Sequence, residues 1–298
     1  MSNTLHTTET VETNLYGVLW AFLGVGFFGF IYISGRLSGG DISAGQLIWF
    51  RYVGALITVL IWLALFPGER RRIRSKQVPV HAIRALAGGG GGMAAIYAAS
   101  HMSVTSATAV GLMDGLFVVI LGVVFLRERF STAQWGAAMV CLFGAGIVVF
   151  GSGAVSIRVE DLFPASIALF GALLVATESI LIKKLARSEA SISVLLYVNI
   201  FGTIIFAIPA AATWSSMSIA VACLLFMLGP IAILGQICNI NALRTSDAAL
   251  IGPIRYTWII WGAFFGWAFF GEIPVAATYS GILLILSGGS YLAFSRFR

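Results

Sequence analysis

Long apolar runs follow one another along this chain with only a few polar residues between them, and that pattern leaves a lipid bilayer as the main solvent. A bilayer core needs about 20 apolar residues per helix. Candidate spans run over 14–35, 44–66, 81–101, 105–126 and 133–151, then 162–182, 192–212, 218–240, 247–270 and 275–294. Only 10% of the 298 residues are charged and 59% are hydrophobic. Soluble domains carry about 25% charged residues, so this chain cannot clothe a water-facing surface. Strands are not expected, because a membrane barrel needs segments of alternating apolar and polar residues and none appears. The first run, from Leu15 to Ile33, is too long for a cleaved secretory signal and is read as a retained helix. Cys141, Cys223 and Cys238 all lie inside apolar runs, without metal-ligand spacing, and read as packed side chains.

The net charge of +6 is explained by topology and not by nucleic acid. With ten spans and a cytoplasmic N-terminus, inside loops and ends hold Arg70, Arg71, Arg72, Arg74, Lys76, Arg84, Arg127, Arg129, Lys183, Lys184, Arg187, Arg244, Arg296 and Arg298. Outside loops hold Arg36 and Arg158, and Arg51 and Arg255 fall within spans. Cytoplasmic loops carry the excess of Lys and Arg. The expectation is a multi-pass inner-membrane protein with both termini in the cytoplasm.

The chain also repeats itself. A shift of 148 residues lays Gly35-Arg36-Leu37 on Lys183-Lys184-Leu185, Trp49 on Tyr197 and Arg51 on Asn199. A shift of 144 lays Leu126-Arg127-Glu128-Arg129 on Phe270-Gly271-Glu272-Ile273. Each half holds five spans, and an odd number forces the second copy to enter the membrane inverted. The expected organisation is a tail (1–13), a first five-helix repeat (14–151), an external connector (152–161), a second repeat (162–294) and a tail (295–298). Inverted repeats recur in secondary transporters, where two equivalent halves open to alternate sides.

Three stretches carry a family resemblance: Trp49-Phe50-Arg51-Tyr52; Ser106-Ala107-Thr108-Ala109 running on to Phe125-Leu126-Arg127-Glu128-Arg129; and Thr245-Ser246-Asp247-Ala248-Ala249, Gly252-Pro253-Ile254-Arg255-Tyr256 and Gly266-Trp267-Ala268-Phe269-Phe270-Gly271-Glu272-Ile273-Pro274. In order and duplication the chain resembles the EamA branch of the drug/metabolite transporter superfamily. That resemblance implies an all-α membrane fold of ten helices around a central cavity, lined by the first four helices of each half, with the fifth and tenth peripheral. It implies passage of small polar metabolites such as amino acids or amines, export being the commoner use. Uptake or exchange of nucleoside-like metabolites such as S-adenosylmethionine is the alternative. No cofactor is implied. One departure is visible: members often have proline midway along the fourth helix of each half, and here Pro253 has Asp114-Gly115 as its counterpart.

An ionisable residue inside a span costs about 2.5–3.5 kcal/mol on insertion scales, so Arg51, Asp114, Glu178 and Arg255 are candidate functional residues. Asp114 lies about 18 Å from the cytoplasmic end of its helix and Arg255 about 12 Å from its own. The two are expected to meet across the interface between halves. One reading is a zwitterion site, Asp114 taking an ammonium and Arg255 a carboxylate; the other is a closed ion pair that fixes helix register. Trp258, on the face of Arg255, and neighbouring Tyr256 are assigned to the same substrate site. Glu178 and Asp114 are proton-coupling candidates, Glu178 pairing on the alternative reading with Lys183 or Arg255. Arg51 is read as a structural anchor. Gly90, within the five glycines 88–92, Pro230 and Pro253 mark hinges or close helix contacts. Trp62, Trp135, Trp214 and Trp267 near span ends read as interface anchors. Gly136, Gly144 and Gly281 fit either a homodimer contact or packing within the chain.

Other function classes fit worse. The three histidines, His6, His81 and His101, make no metal motif, and no nucleophile elbow or phosphate loop is present. A receptor would be expected to carry extramembrane domains, and a channel needs a ring of repeats about a pore.

Overall fold

The computed structural model describes residues 14–30, 42–102, 104–151, 159–271, 273 and 275–295. The tails, Gly35-Arg36-Leu37, most of the 152–161 connector, Glu272 and Pro274 lie outside them. Every regular element among the described residues is helical. The helices are α1 (Asn14–Phe30), α2 (Ala44–Leu65), α3 (Val78–His101), α4 (Val104–Gly111), α5 (Met113–Phe125), α6 (Thr132–Gly151), α7 (Leu162–Ser188), α8 (Ser191–Ala212), α9 (Ile219–Thr245), α10 (Ala248–Ile251), α11 (Trp258–Phe270) and α12 (Ala276–Phe294). Tight 3-10 turns occupy Pro67–Arg72, Val159–Asp161 and Gly252–Thr257.

Eight of these stretches are long and apolar enough to cross a membrane, α4–α5 counting as one over Ser106–Phe125 and α10–α11 as one over Ala248–Phe269. The described part of α1 is shorter. Helix α3 has 24 residues but spends five on glycine and carries His81, Arg84 and His101. Its apolarity is diluted, and its long contacts with α7 and α8 supply protein where other helices meet lipid.

Two helices outrun their expected spans by more than a turn. Helix α7 continues to Ser188 and α9 to Thr245, so Lys183 and Arg244 are helical, not loop residues. Arg244 explains part of the extension: it donates to the carbonyls of Ala186 and Glu189, satisfying groups that the end of α7 leaves unpaired. Arg84 and Lys183 are corrected further. Both were counted among loop cations, and both are buried, at 1% and 2% exposure. An asymmetry of charge survives without them, but these two belong to the interior.

Small residues set the helix crossings, as expected where lipid gives no hydrophobic drive for association. Gly54 of α2 faces Gly229 of α9, with the carbonyl of Phe226 beside it. Gly91 of α3 lies against Gly171 and Val175 of α7. Gly24 of α1 meets Cys238 and Gly235 of α9. Gly144 of α6 and Gly281 of α12 face each other within the chain, which uses the surface offered for a homodimer contact; Gly136 faces open space. The glycine run is an unbroken part of α3. Gly90 itself meets only Leu174, at 3.4 Å from a added Cβ. Gly90→Ala is therefore expected to raise the thermal midpoint of the purified protein, glycine costing about 1 kcal/mol against alanine in a helix. Gly229→Ala is expected to lower it, because its Cβ would fall on the Gly54 backbone.

Capping fixes several helix starts. Ser43 and Gln46 form a reciprocal capping box at α2, and Ser131 with Gln134 does the same at α6. Trp62, Trp214 and Trp267 are about half exposed near helix ends, as interface anchors are.

Candidate functional site

Two of the membrane-long stretches, Ser106–Phe125 and Ala248–Phe269, are broken, and the breaks meet. Pro253 has no N–H to give, and the chain from Gly252 to Thr257 tightens into a 3-10 turn. The Ser106–Phe125 stretch holds no proline, yet it is also interrupted, at Leu112 between α4 and α5. Gly115 and Gly252 let the two interrupted stretches touch backbone to backbone. A Cβ on Gly115 would lie 2.9 Å from the Gly252 carbonyl, and one on Gly252 would lie 2.6 Å from the Gly115 carbonyl.

This contact brings Asp114, in the first turn of α5, to Arg255 of the 3-10 turn. Arg255 donates through Nε to Asp114 Oδ2 at 2.8 Å, and its Nη2 lies 2.7 Å from the same oxygen. The side chains keep 18% and 21% of their surface open. Both contacts land on Oδ2, so Oδ1 stays available to a second donor. A charge-assisted pair of this kind is strong enough to order the helices and exposed enough to be opened by a ligand carrying both charges. Trp258 is partly buried beside Leu112. Tyr256 is placed differently from expectation. It is 1% exposed, packed on Gly115 among Cys141, Ala145 and Ile285, and forms the floor under the pair with no surface left for a ligand.

A second polar cluster lies between α2, α3 and α7. Glu178 sits 3.7 Å from Arg84 Nε, not beside Lys183 or Arg255 as the sequence suggested. Its carboxylate lies over Gly88, and a larger residue there would have to push it aside. Tyr52 donates to the Ala85 carbonyl at 3.3 Å, and the Arg51 guanidinium lies 4.2 Å from the Tyr52 ring centre.

A third network closes the end of the bundle where α5, α7 and α10 converge. Glu128 accepts from the backbone N–H of Ala248 at 3.0 Å and of Ala249 at 2.8 Å, capping α10. Lys183 Nζ lies 3.8 Å from Glu128 and 3.5 Å from Asp247, and donates to the Ser246 carbonyl. Arg187 reaches Asp247 at 3.9 Å. Sequence reading gave Glu128 only as the counterpart of Glu272 in the repeat. It directly follows Arg127, which turns at φ 56°, as Gly271 does at φ 65° after α11. At the same end Glu189 accepts from Ser75 and lies 2.9 Å from His81 Nε2. Burial pushes the Glu189 carboxyl up, but hydrogen bonds from Ser75, His81 and Ser193 outweigh it and hold the group below the usual carboxylate range. Stability from this lowered pKa is present above the unfolded value near about 4.3 and is lost as pH falls through the folded one. Glu189→Gln is expected to flatten that acid limb in a pH-resolved unfolding series.

No group of three or more metal-ligating side chains occurs among the described residues. A multi-pass helical bundle with buried, partnered charges at broken helices has the parts of a membrane carrier for small molecules. The comparisons place it more narrowly. The model of the EamA-like transporter family matches residues 15–150 and again 162–294. The chain belongs to that family and is a membrane transporter, not an enzyme. It is 26% identical over 276 residues to the pseudopaline exporter CntI of Pseudomonas aeruginosa, covering 91% of this chain and 93% of that one. It is 25% identical over 289 residues to an S-adenosylmethionine uptake transporter of Rickettsia bellii, covering 96% of each. A riboflavin transporter of Brucella anthropi is 25% identical over 252 residues, or 83% of this chain and 86% of that one. A solved crystal structure shares the fold with a TM-score of 0.79 at 17% identity, over 94% of this chain and 99% of the other.

Proposed function

We propose that the protein is a secondary transporter that moves small polar or amphipathic metabolites across the inner membrane by alternating access, in the export direction, with both termini cytoplasmic. The observation that carries this reading is the partly open Asp114–Arg255 pair at the meeting of two broken helices. Broken helices near the midplane are where transporters of inverted design hold their substrates. A substrate with an ammonium and a carboxylate exchanges the internal pair for two of its own contacts, and Trp258 gives its apolar part a wall.

The two halves are read as inverted five-helix repeats, 14–151 and 162–294. Support comes from the family model matching twice and from helix pairings that exchange in step. Helix α2 packs on α9 as α3 packs on α8, and α3 lies on α7 as α1 lies on α9. Swapping first-half for second-half helices maps each pairing onto the other. The Arg127 and Gly271 turns, both left-handed, close the two fourth helices alike. The Lys183–Glu128–Asp247 network serves as the closed gate at the cytoplasmic end. Glu178, held by Arg84, is the carboxylate proposed for proton coupling.

The uptake relative named for S-adenosylmethionine favours a second reading, in which this chain imports a compound of that kind. Full-length protein in liposomes, tested with labelled amino acids, polyamines, S-adenosylmethionine and riboflavin, separates the two. Efflux or counterflow of an amino acid or amine supports the first reading. Flux of S-adenosylmethionine alone replaces it with the second, and no flux of any compound removes both.

A further inference from the structure

The charges inside the bundle do not balance. Asp114 is matched by Arg255 and Glu178 by Arg84. Arg51 has no carboxylate at ion-pair distance among the described residues; its contact is the Tyr52 ring. It lies seven residues into α2, about 11 Å from the start of the helix, too deep to be at a helix end. At 100° per residue it shares a face with the partly buried Leu47 and Thr58, while the exposed Ile57 and Leu60 point away; the exposed Trp62 and Leu65 on its own face come later, toward the other end of the helix. A cation held about 11 Å into a span and partly open is costly unless an anion visits it. Among the described residues neither a carbonyl nor a carboxylate holds the guanidinium.

Its surroundings reinforce the excess. Arg84 lies within electrostatic reach of Arg51, and Glu178 neutralises only one of the two. Tyr52 is pinned by its hydrogen bond to the Ala85 carbonyl and is stacked on Phe206, with ring centres 5.6 Å apart. Gly202 packs on the same ring. The platform is therefore rigid, and the guanidinium resting on it keeps its planar fork of donors, which matches the two oxygens of a carboxylate.

We propose that Arg51, seated on Tyr52, is an anion subsite that takes a carboxylate of the transported compound. Resting on the transport reading, this narrows the substrate class to metabolites with a carboxylate beyond the one that balances their ammonium. The Asp114–Arg255 pair meets a zwitterion with no charge left over, and Arg51 supplies the matching cation for one more acidic group.

The test reads binding, not flux. Purified full-length protein in detergent is titrated with citrate and followed by its thermal midpoint, with sodium phosphate, sodium chloride and neutral succinamide at matched ionic strength as controls. Citrate is expected to raise the midpoint saturably, and succinamide and chloride are not. Arg51→Gln is expected to weaken the apparent citrate affinity at least tenfold, while Arg72→Gln, which removes an exposed cation outside the bundle, leaves it within twofold. Arg51→Lys, which keeps the charge and loses the fork, is expected to fall between, and it carries the test if the glutamine variant does not fold. A citrate shift equal in wild type and either Arg51 variant overturns the proposal. So does a wild type that responds to phosphate or chloride as it does to citrate. A citrate shift lost with Arg51, in a protein that moves no compound in liposomes, upholds the subsite and sinks the transport reading instead.

Discussion

Asp114→Asn is expected to reduce transport at least tenfold while leaving the protein in the membrane at normal level. The asparagine can still accept from Arg255 but no longer balances its charge or that of a substrate ammonium. Hydrogen bonds to charged groups contribute about 1.5–3 kcal/mol, and about 1.4 kcal/mol is a factor of ten. Arg255→Gln is expected to do the same from the carboxylate side. The double variant separates binding from scaffolding. A pair that only fixes helix register is replaced without harm when both charges go together, so normal flux in the double variant would reduce Asp114–Arg255 to a structural clasp. The double variant is expected to unfold at a higher temperature than either single one, yet to transport no better. Initial-rate measurements in liposomes, with thermal midpoints of the same preparations, check both halves of the statement.

Lys183→Met is expected to have the largest effect on stability. Lys183 is buried between Glu128, Asp247 and the Ser246 carbonyl. Removing one partner of a buried ion pair costs about 3–5 kcal/mol, because the remaining charges stay buried and unmatched. Glu128→Gln in the same background is expected to recover part of that loss, since the amide oxygen still accepts from one of the Ala248 and Ala249 N–H groups. A coupling of about 0.5–3 kcal/mol is typical for residues in one network. Strict additivity of the two changes in denaturation of the detergent-solubilised protein would mean that Lys183 and Glu128 do not act on one another.

Much of the fold was legible because lipid imposes a simple rule. Where an apolar run of about 20 residues is needed, a helix follows, and the start of α2 at Ala44 and the limits of α8 fall where the pattern puts them. Helix α3, expected over 81–101 from its apolar run, starts three residues earlier, at Val78. The ends of α7 and α9 were misplaced because charge was taken to end a membrane helix. Lys183 and Arg244 instead continue theirs, each with carbonyls or carboxylates to satisfy it. The Asp114–Arg255 contact was readable from depth along two helices, a one-dimensional quantity. The partner of Glu178 was not, because it depends on the azimuth of α3, whose glycines give no amphipathic face to read. Tyr256 was misassigned for the same reason: adjacency to Arg255 in sequence turns it about 100° or more around the helix axis, toward the α6–α12 core. The break at Leu112 had no proline to announce it.

The most direct test of a water-filled polar pocket between the halves is a thiol at Gly262, where an added side chain meets nothing within 4 Å. It lies one turn beyond Trp258 on α11. Cys223, which is exposed, is first replaced by serine; Cys141 and Cys238 are buried. The account predicts that a membrane-impermeant maleimide modifies Gly262→Cys from one side of oriented vesicles, and that saturating transported compound changes the rate at least severalfold. Modification by lipid-soluble maleimide alone, at a rate the compound does not alter, would contradict it.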